Sequence, residues 1–188
     1  MESLSTFWLS VLLFALILAS AFFSGTETSM MAMNRYRLKT LSAKNNPQAK
    51  RVEKLLKNVD YLIGAILLGN NFVNILAASI TTILALKLWG EGSVIIASLA
   101  LTLVILIFAE TTPKTFAAKN PEKIALPASA TIELLIKIFR PVIWSISYIS
   151  QTILKPFGLK NLSNDNLNSE ELRMAVIDSK SIVSKNYQ

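Results

Sequence analysis

The 188-residue sequence contains no cysteine and no histidine. The first absence excludes disulfide staples and thiolate metal sites; the second removes the commonest transition-metal ligand and the usual general base. Any ion the chain binds is therefore expected to be hard and held by oxygen. Charge is also scarce, at 16% of residues against 52% apolar, with a mean hydropathy of +0.47. That is too little charge to cover a soluble globule, and the chain reads as an all-α membrane protein. A net charge of +7 would suggest nucleic acid in a soluble domain. In a chain with spanning segments it is the topology signal, and no nucleic-acid partner is expected.

The existing charges are clumped. Ser3 to Thr26 and Tyr61 to Leu86 carry none over 24 and 26 residues, and each run exceeds the length needed to cross hydrocarbon. A third run, Gly92 to Ala109, reaches Pro113 if Glu110 is admitted. These runs place spans at about 5–33, 60–87 and 92–113. Ala19-Ser20-Ala21 resembles a signal-peptidase site, but the preceding segment holds Glu2 and no Lys or Arg, unlike a basic leader. A retained helix is preferred, with cleavage as the alternative.

Between the first two spans lie Arg35, Arg37, Lys39, Lys44, Lys50, Arg51, Lys54 and Lys57 against only Glu53 and Asp60, which makes that loop cytoplasmic. The N-terminus is then outside and the C-terminus cytoplasmic, in the lipid bilayer of the cell (inner) membrane. Leu38, Leu41, Val52, Leu55 and Leu56 recur at helical spacing around a break at Asn45-Asn46-Pro47, which suggests inner-surface helices over about 36–58. Over about 121–157 the apolar stretches are too short to span and are interrupted by Pro127, Glu133, Lys137, Arg140 and Pro141. This region reads as a kinked amphipathic belt helix on the cytoplasmic face, with Trp144 and Tyr148 at the interface; a fourth span is the alternative. Residues 1–160 form one transmembrane domain. From 161 to 188 the chain is a polar linker in which Asn168 and Glu171 mark a helix start, and it stops without a helix-ending signal, as a longer chain cut short would.

Polar groups inside the spans carry the functional reading. Ser24 and Thr28 stand at i and i+4, as do Asn70 and Asn74, so each pair shares a helix face. Ala109-Glu110-Thr111-Thr112-Pro113 adds a carboxylate, which costs at least a few kcal/mol within a span unless paired, protonated or metal-bound. In an α-helix Pro113 cannot bond the Ala109 carbonyl, which leaves that oxygen beside Glu110 as a hard-cation half-site. Counted from the charged flanks at ~1.5 Å per residue, Ser24 and Asn70 lie roughly 16 and 15 Å deep, and Glu110 about 6 or 13 Å. The three clusters then meet near one level. Their oxygens would suit Mg2+, with Na+ as competitor. Two bland readings compete: Asn71, Ser29 and Ser79 satisfying only packed helices, and Glu110 snorkelling to pair with Lys114.

Phe22-Phe23-Ser24-Gly25-Thr26-Glu27-Thr28, Leu68-Gly69-Asn70-Asn71-Phe72-Val73-Asn74 and Phe108-Ala109-Glu110-Thr111-Thr112-Pro113-Lys114 together resemble the transmembrane domain of the CNNM/CorC family of magnesium transporters, in its prokaryotic branch. The resemblance covers about residues 1–160. It implies a homodimer of three-span protomers with a cytoplasm-side helical belt. It also implies a Mg2+ site in each protomer formed by Ser24, Thr28, Asn70, Asn74, Ala109 and Glu110, with Gly25 and Pro113 as conformational positions. Export of Mg2+ with Na+ dependence is implied as well. So are CBS domains after the linker, not present in this sequence, through which alone nucleotide would act. Ala109 replaces a common family glycine, and Thr112 an aliphatic residue. A Mg2+ sensor or scaffold that does not transport is the second function class. An intramembrane enzyme with Ser24 or Thr28 as nucleophile lacks a base, and no enzymatic activity is expected.

Overall fold

The structure, a computed structural model, describes residues 6–154. The polar linker over 161–188 with its Asn168 cap, and the last residues of the belt region, lie outside the described residues. Contact density divides the chain into Met1–Ser147, which carries every feature discussed below, and Tyr148–Gln188. Among the described residues every regular element is helical.

Three helices are long and apolar enough to cross a membrane. The first is α1 (Thr6–Ala32) and the second α4 (Val59–Trp89). The third runs from Glu91 to Lys119 and is composite. A 3-10 turn (Glu91–Ser93) leads into α5 (Val94–Val104), then a π-helical segment (Ile105–Thr111), then α6 (Thr112–Lys119). It passes Pro113 by six residues, because a proline in the first turn of α6 gives up an N–H at a point where the α register has already been left. Spans two and three are joined at Gly90, whose φ of 81° is a conformation glycine adopts without a Cβ penalty. Ser93 Oγ donates to the carbonyls of Gly90 (2.6 Å) and Ala85 (3.0 Å) and closes the turn.

The basic loop forms α2 (Arg35–Ala43) and α3 (Pro47–Leu55). Asn34 Oδ1 accepts from Arg37 N–H, Asn46 Oδ1 accepts from Gln48 and Ala49 N–H, and Pro47 takes the first turn, where no donor is needed. The belt helix α7 (Pro121–Leu154) is strongly amphipathic and contains both Pro127 and Pro141. Its buried Ala125 and Ile132 share one core with Met30, Leu38, Val52, Leu62 and Ile66, which ties the end of α1 and the start of α4 to α2 and α3.

Ion pairs reinforce that junction. Arg37 pairs with Glu122 at 2.7 Å. Glu133 takes Lys54 at 2.9 Å, Arg51 at 3.8 Å and Lys137 at 4.0 Å. The Lys54 hydrogen bond, aided by the three positive charges, holds the Glu133 carboxyl below its ordinary range against a smaller opposing effect of desolvation.

Candidate metal centre

The register of α1 against α4 fixes where the candidate ligands sit. Leu9 packs with Ile80 and Leu84, Ser20 Oγ donates to Asn70 Oδ1 at 3.0 Å, and Met30 and Met33 share a core with Leu62. The helices are thus antiparallel, with Ser20 opposite Asn70. Phe23 lies over Gly69, where an added Cβ would fall 2.6 Å from the ring. On the other side Gly25 faces Pro113, with an added Cβ 3.6 Å from Pro113 Cβ, 3.7 Å from its carbonyl oxygen and 3.8 Å from Ile124 Cδ1 of α7. The first motif therefore bridges the second and the third, and α1 packs against α4, the π segment and α6.

At ~1.5 Å per residue from these two contacts, Asn70, Ala109, Glu110 and Ser24 fall within about 6 Å along the axis of α1. Thr28 lies about 12 Å from Asn70 toward the C-terminal end of α1, and Asn74 about 6 Å the other way. The matched depths inferred from flanking charges are thus corrected: Ser24 lies a helical turn below Asn70, since the spans extend unequally past their flanks. Thr28 and Asn74 stand at opposite ends of the cluster, roughly 18 Å apart, and the structure does not bring them together.

Hydrogen bonding separates the polar groups further. Ser10, Thr28, Ser79, Thr81, Thr82 and Thr102 each donate to the carbonyl four residues back, the usual way a hydroxyl is satisfied in a spanning helix. Ser29 Oγ donates to the Thr26 carbonyl. These are the bland roles expected of Ser29 and Ser79; Asn71 is exposed and makes no such bond. Ser24 Oγ, Thr26 Oγ1 and Asn74 Oδ1 differ, being buried without any hydrogen-bond partner. Ser24 is 1% exposed and Thr26 0%. Buried polar atoms are nearly always paired, so each of these three is an exception that requires a reason, although Thr26 and Asn74 lie too far apart along the helices to share one partner. Thr26 and Ser20 were not singled out from the sequence. Ser20-Ser24-Thr28 form an i, i+4, i+8 stripe that would have revealed Ser20, whereas nothing in the spacing distinguishes Thr26.

Glu110 is half-buried and has no hydrogen bond or ion pair among the described residues, and the Lys114 pairing that would make it a snorkelling residue is not formed. Ala109 is fully buried. The π segment changes which carbonyl Pro113 deprives. Thr112 N–H donates five residues back, to the Ile107 carbonyl. In that register the donor missing at Pro113 would have served Phe108, not Ala109 as an α register requires. The derivation of a bare Ala109 oxygen from Pro113 is therefore corrected to Phe108. No cluster of three or more carboxylates is present among the described residues, so a guest cation would meet mainly neutral oxygens.

Comparison with known proteins agrees with this architecture. Residues 11–182 match the Cyclin M transmembrane N-terminal domain, CNNM. The UPF0053 inner membrane protein YfjD of Escherichia coli is 44% identical over 171 residues, covering 90% of this chain and 40% of that protein. A UPF0053 protein of Haemophilus influenzae is 40% identical over 94% of the chain and 42% of its own length. A polyamine export protein from the same organism is 28% identical over 87% and 41%. The chain thus spans about two-fifths of the length of these relatives. Three apolar spans, the three motifs and the match over most of the chain lead to one conclusion: this is a multi-pass membrane protein of the CNNM family, and the matched region is that family's transmembrane domain.

Proposed function

We propose that the chain is the membrane part of a cation transporter that moves Mg2+ out of the cytoplasm, with Na+ coupling. The observation that carries this reading is the contrast among hydroxyls: Thr28, Ser79, Thr81, Thr82 and Thr102 bond their own helix, while Ser24, at about the level of an unpaired Glu110, is buried and unbonded. Ser24, Asn70 and Glu110, with the Phe108 carbonyl that Pro113 leaves without a donor in place of that of Ala109, form the central ligand set. Thr28 and Asn74 line the approach from either end, and Gly25 against Pro113 is the joint at which the first and third spans move. One carboxylate among neutral oxygens favours a hard cation bound weakly enough to be released. Asn71 and Phe72, exposed in the second span, support a second copy of the chain as the partner that covers them. The basic loop supports a cytoplasmic C-terminus, and nucleotide control through CBS domains belongs to the same proposal.

Relatives named polyamine export proteins favour a second reading, in which the cargo is an organic polycation. Sealed vesicles holding the purified protein decide between the two. Mg2+ flux that Glu110→Gln abolishes supports the first; flux of a labelled polyamine without Mg2+ flux supports the second. Mg2+ binding with neither flux would identify a sensor.

A further inference from the structure

We propose that the cleft between the end of α3, the start of α4 and the belt helix α7 binds the phosphodiester headgroup of an anionic lipid, in the leaflet that the basic loop faces. Two adjoining cavities of about 450 and 420 Å3 share Tyr61, Lys137 and Arg140. The first also contains Lys54 and Glu133. Three cations thus face one carboxylate, and that carboxylate is already bonded to Lys54 at 2.9 Å and shared with Arg51 outside the cavity. Arg140 is exposed and has no ion-pair or hydrogen-bond partner among the described residues. A guanidinium offers a planar pair of donors suited to phosphate oxygens, and Lys137 beside it adds a second charge.

The walls indicate what carries the phosphate. Leu55 and Ile136 border the charged end, and the second cavity continues past Pro141 and Trp144. Tyr61 is in the first turn of the second span, so the cleft opens at the level of the bilayer surface. A free phosphate would leave the apolar half unused, whereas a lipid presents its charged head and its glycerol and upper acyl carbons together. Basic pockets beside spanning helices are suited to such headgroups. This site is separate from the proposed ion path and does not depend on it.

The test titrates the full chain in neutral detergent with phosphatidylglycerol, phosphatidylcholine or inorganic phosphate, reading the thermal midpoint and bound lipid. Phosphatidylglycerol is expected to bind selectively and raise the midpoint, with an effect that shrinks as salt is added. Lys137→Gln with Arg140→Gln should weaken that binding roughly thirtyfold, at about fivefold per cation, while Lys39→Gln, outside the cleft, leaves it unchanged. Arg140→Gln alone loses no internal contact and should give the fivefold loss in a folded protein; Arg140→Lys should restore most of it. Equal binding of phosphatidylcholine, unchanged binding by the double variant, or saturation of the site by inorganic phosphate would each overturn the lipid assignment.

Discussion

On the side of α1 that meets α4, a glycine is packed to the limit; on the side that meets the third span, a glycine has room. Gly69 lies under the Phe23 ring so closely that a Cβ would stand 2.6 Å from it, and Ser20 bonds Asn70 one turn away. Gly25 would accept a Cβ at 3.6 Å from Pro113, an ordinary contact, in a neighbourhood where Ser24 and Thr26 have no partners. Ser20 and Asn70 satisfy each other beside the tight contact, whereas Ser24 and Thr26, the neighbours of Gly25 in sequence, and Asn74 further along α4 have no partner. The tight fit is local to Phe23 and Gly69, since α1 packs extensively against both neighbouring spans, and the contrast is one of room at two particular glycines.

The largest expected effect lies at the open side. Glu110→Gln keeps shape but removes the charge, and Mg2+ binding should fall below detection while the protein still folds. Calorimetry in the purified protein checks this, and unchanged affinity would remove Glu110 from the ligand set. Next comes the closed side: Gly69→Val should destabilise by about 1–3 kcal/mol through overpacking against Phe23, seen as a lower thermal midpoint. Gly25→Ala should cost no stability, since helix propensity favours alanine and the space exists. Equal losses at both glycines would erase the contrast between the two sides.

Much of this was legible in the sequence, for identifiable reasons. Charge-free runs located the spans, because hydrocarbon imposes length and composition together. Asn46-Pro47 located the start of α3, because the cap and the proline each act within a few residues. What was not legible depends on register between helices. Ser20, read as part of a cleavage-like triplet, is the partner of Asn70, and Ser24, placed level with Asn70, lies a turn below it. Thr26 could not be distinguished from its polar neighbours until their hydrogen bonds were known. The π segment, which reassigns the effect of Pro113, leaves no mark in an apolar run such as Ile105-Leu106-Ile107-Phe108.

The unpaired hydroxyl provides a sharper test than the carboxylate, because stability and function should move apart. Ser24→Ala removes a buried group that has no partner, so the ion-free protein should be as stable as the parent or more stable by up to about 1 kcal/mol. Mg2+ affinity should nevertheless fall, by roughly tenfold for one lost neutral oxygen ligand, a difference of about 1.4 kcal/mol. Thr81→Ala, which removes a hydroxyl already bonded to the Ala77 carbonyl, is the matched control and should leave Mg2+ affinity unchanged. If both variants bind Mg2+ like the parent, the open hydroxyl is a packing accident.

The smallest expected change, and the one that tests the joint itself, is Pro113→Ala. Alanine restores an N–H that can reach the Phe108 carbonyl in the π register or the Ala109 carbonyl in an α register. The second choice would draw the π segment back toward an α-helix, the better hydrogen-bonded form, and would turn Glu110 relative to α1. Loss of the ring from its place against Gly25 is a modest subtraction, because the closest approach there is only an ordinary contact. The thermal midpoint without Mg2+ should therefore stay level or rise by a few degrees, while Mg2+ flux declines in the same preparation. Full flux with a raised midpoint would show that transport does not need the π segment. A lowered midpoint would show that Pro113 serves packing on Gly25, and that this side of the first span is as fixed as the side facing α4.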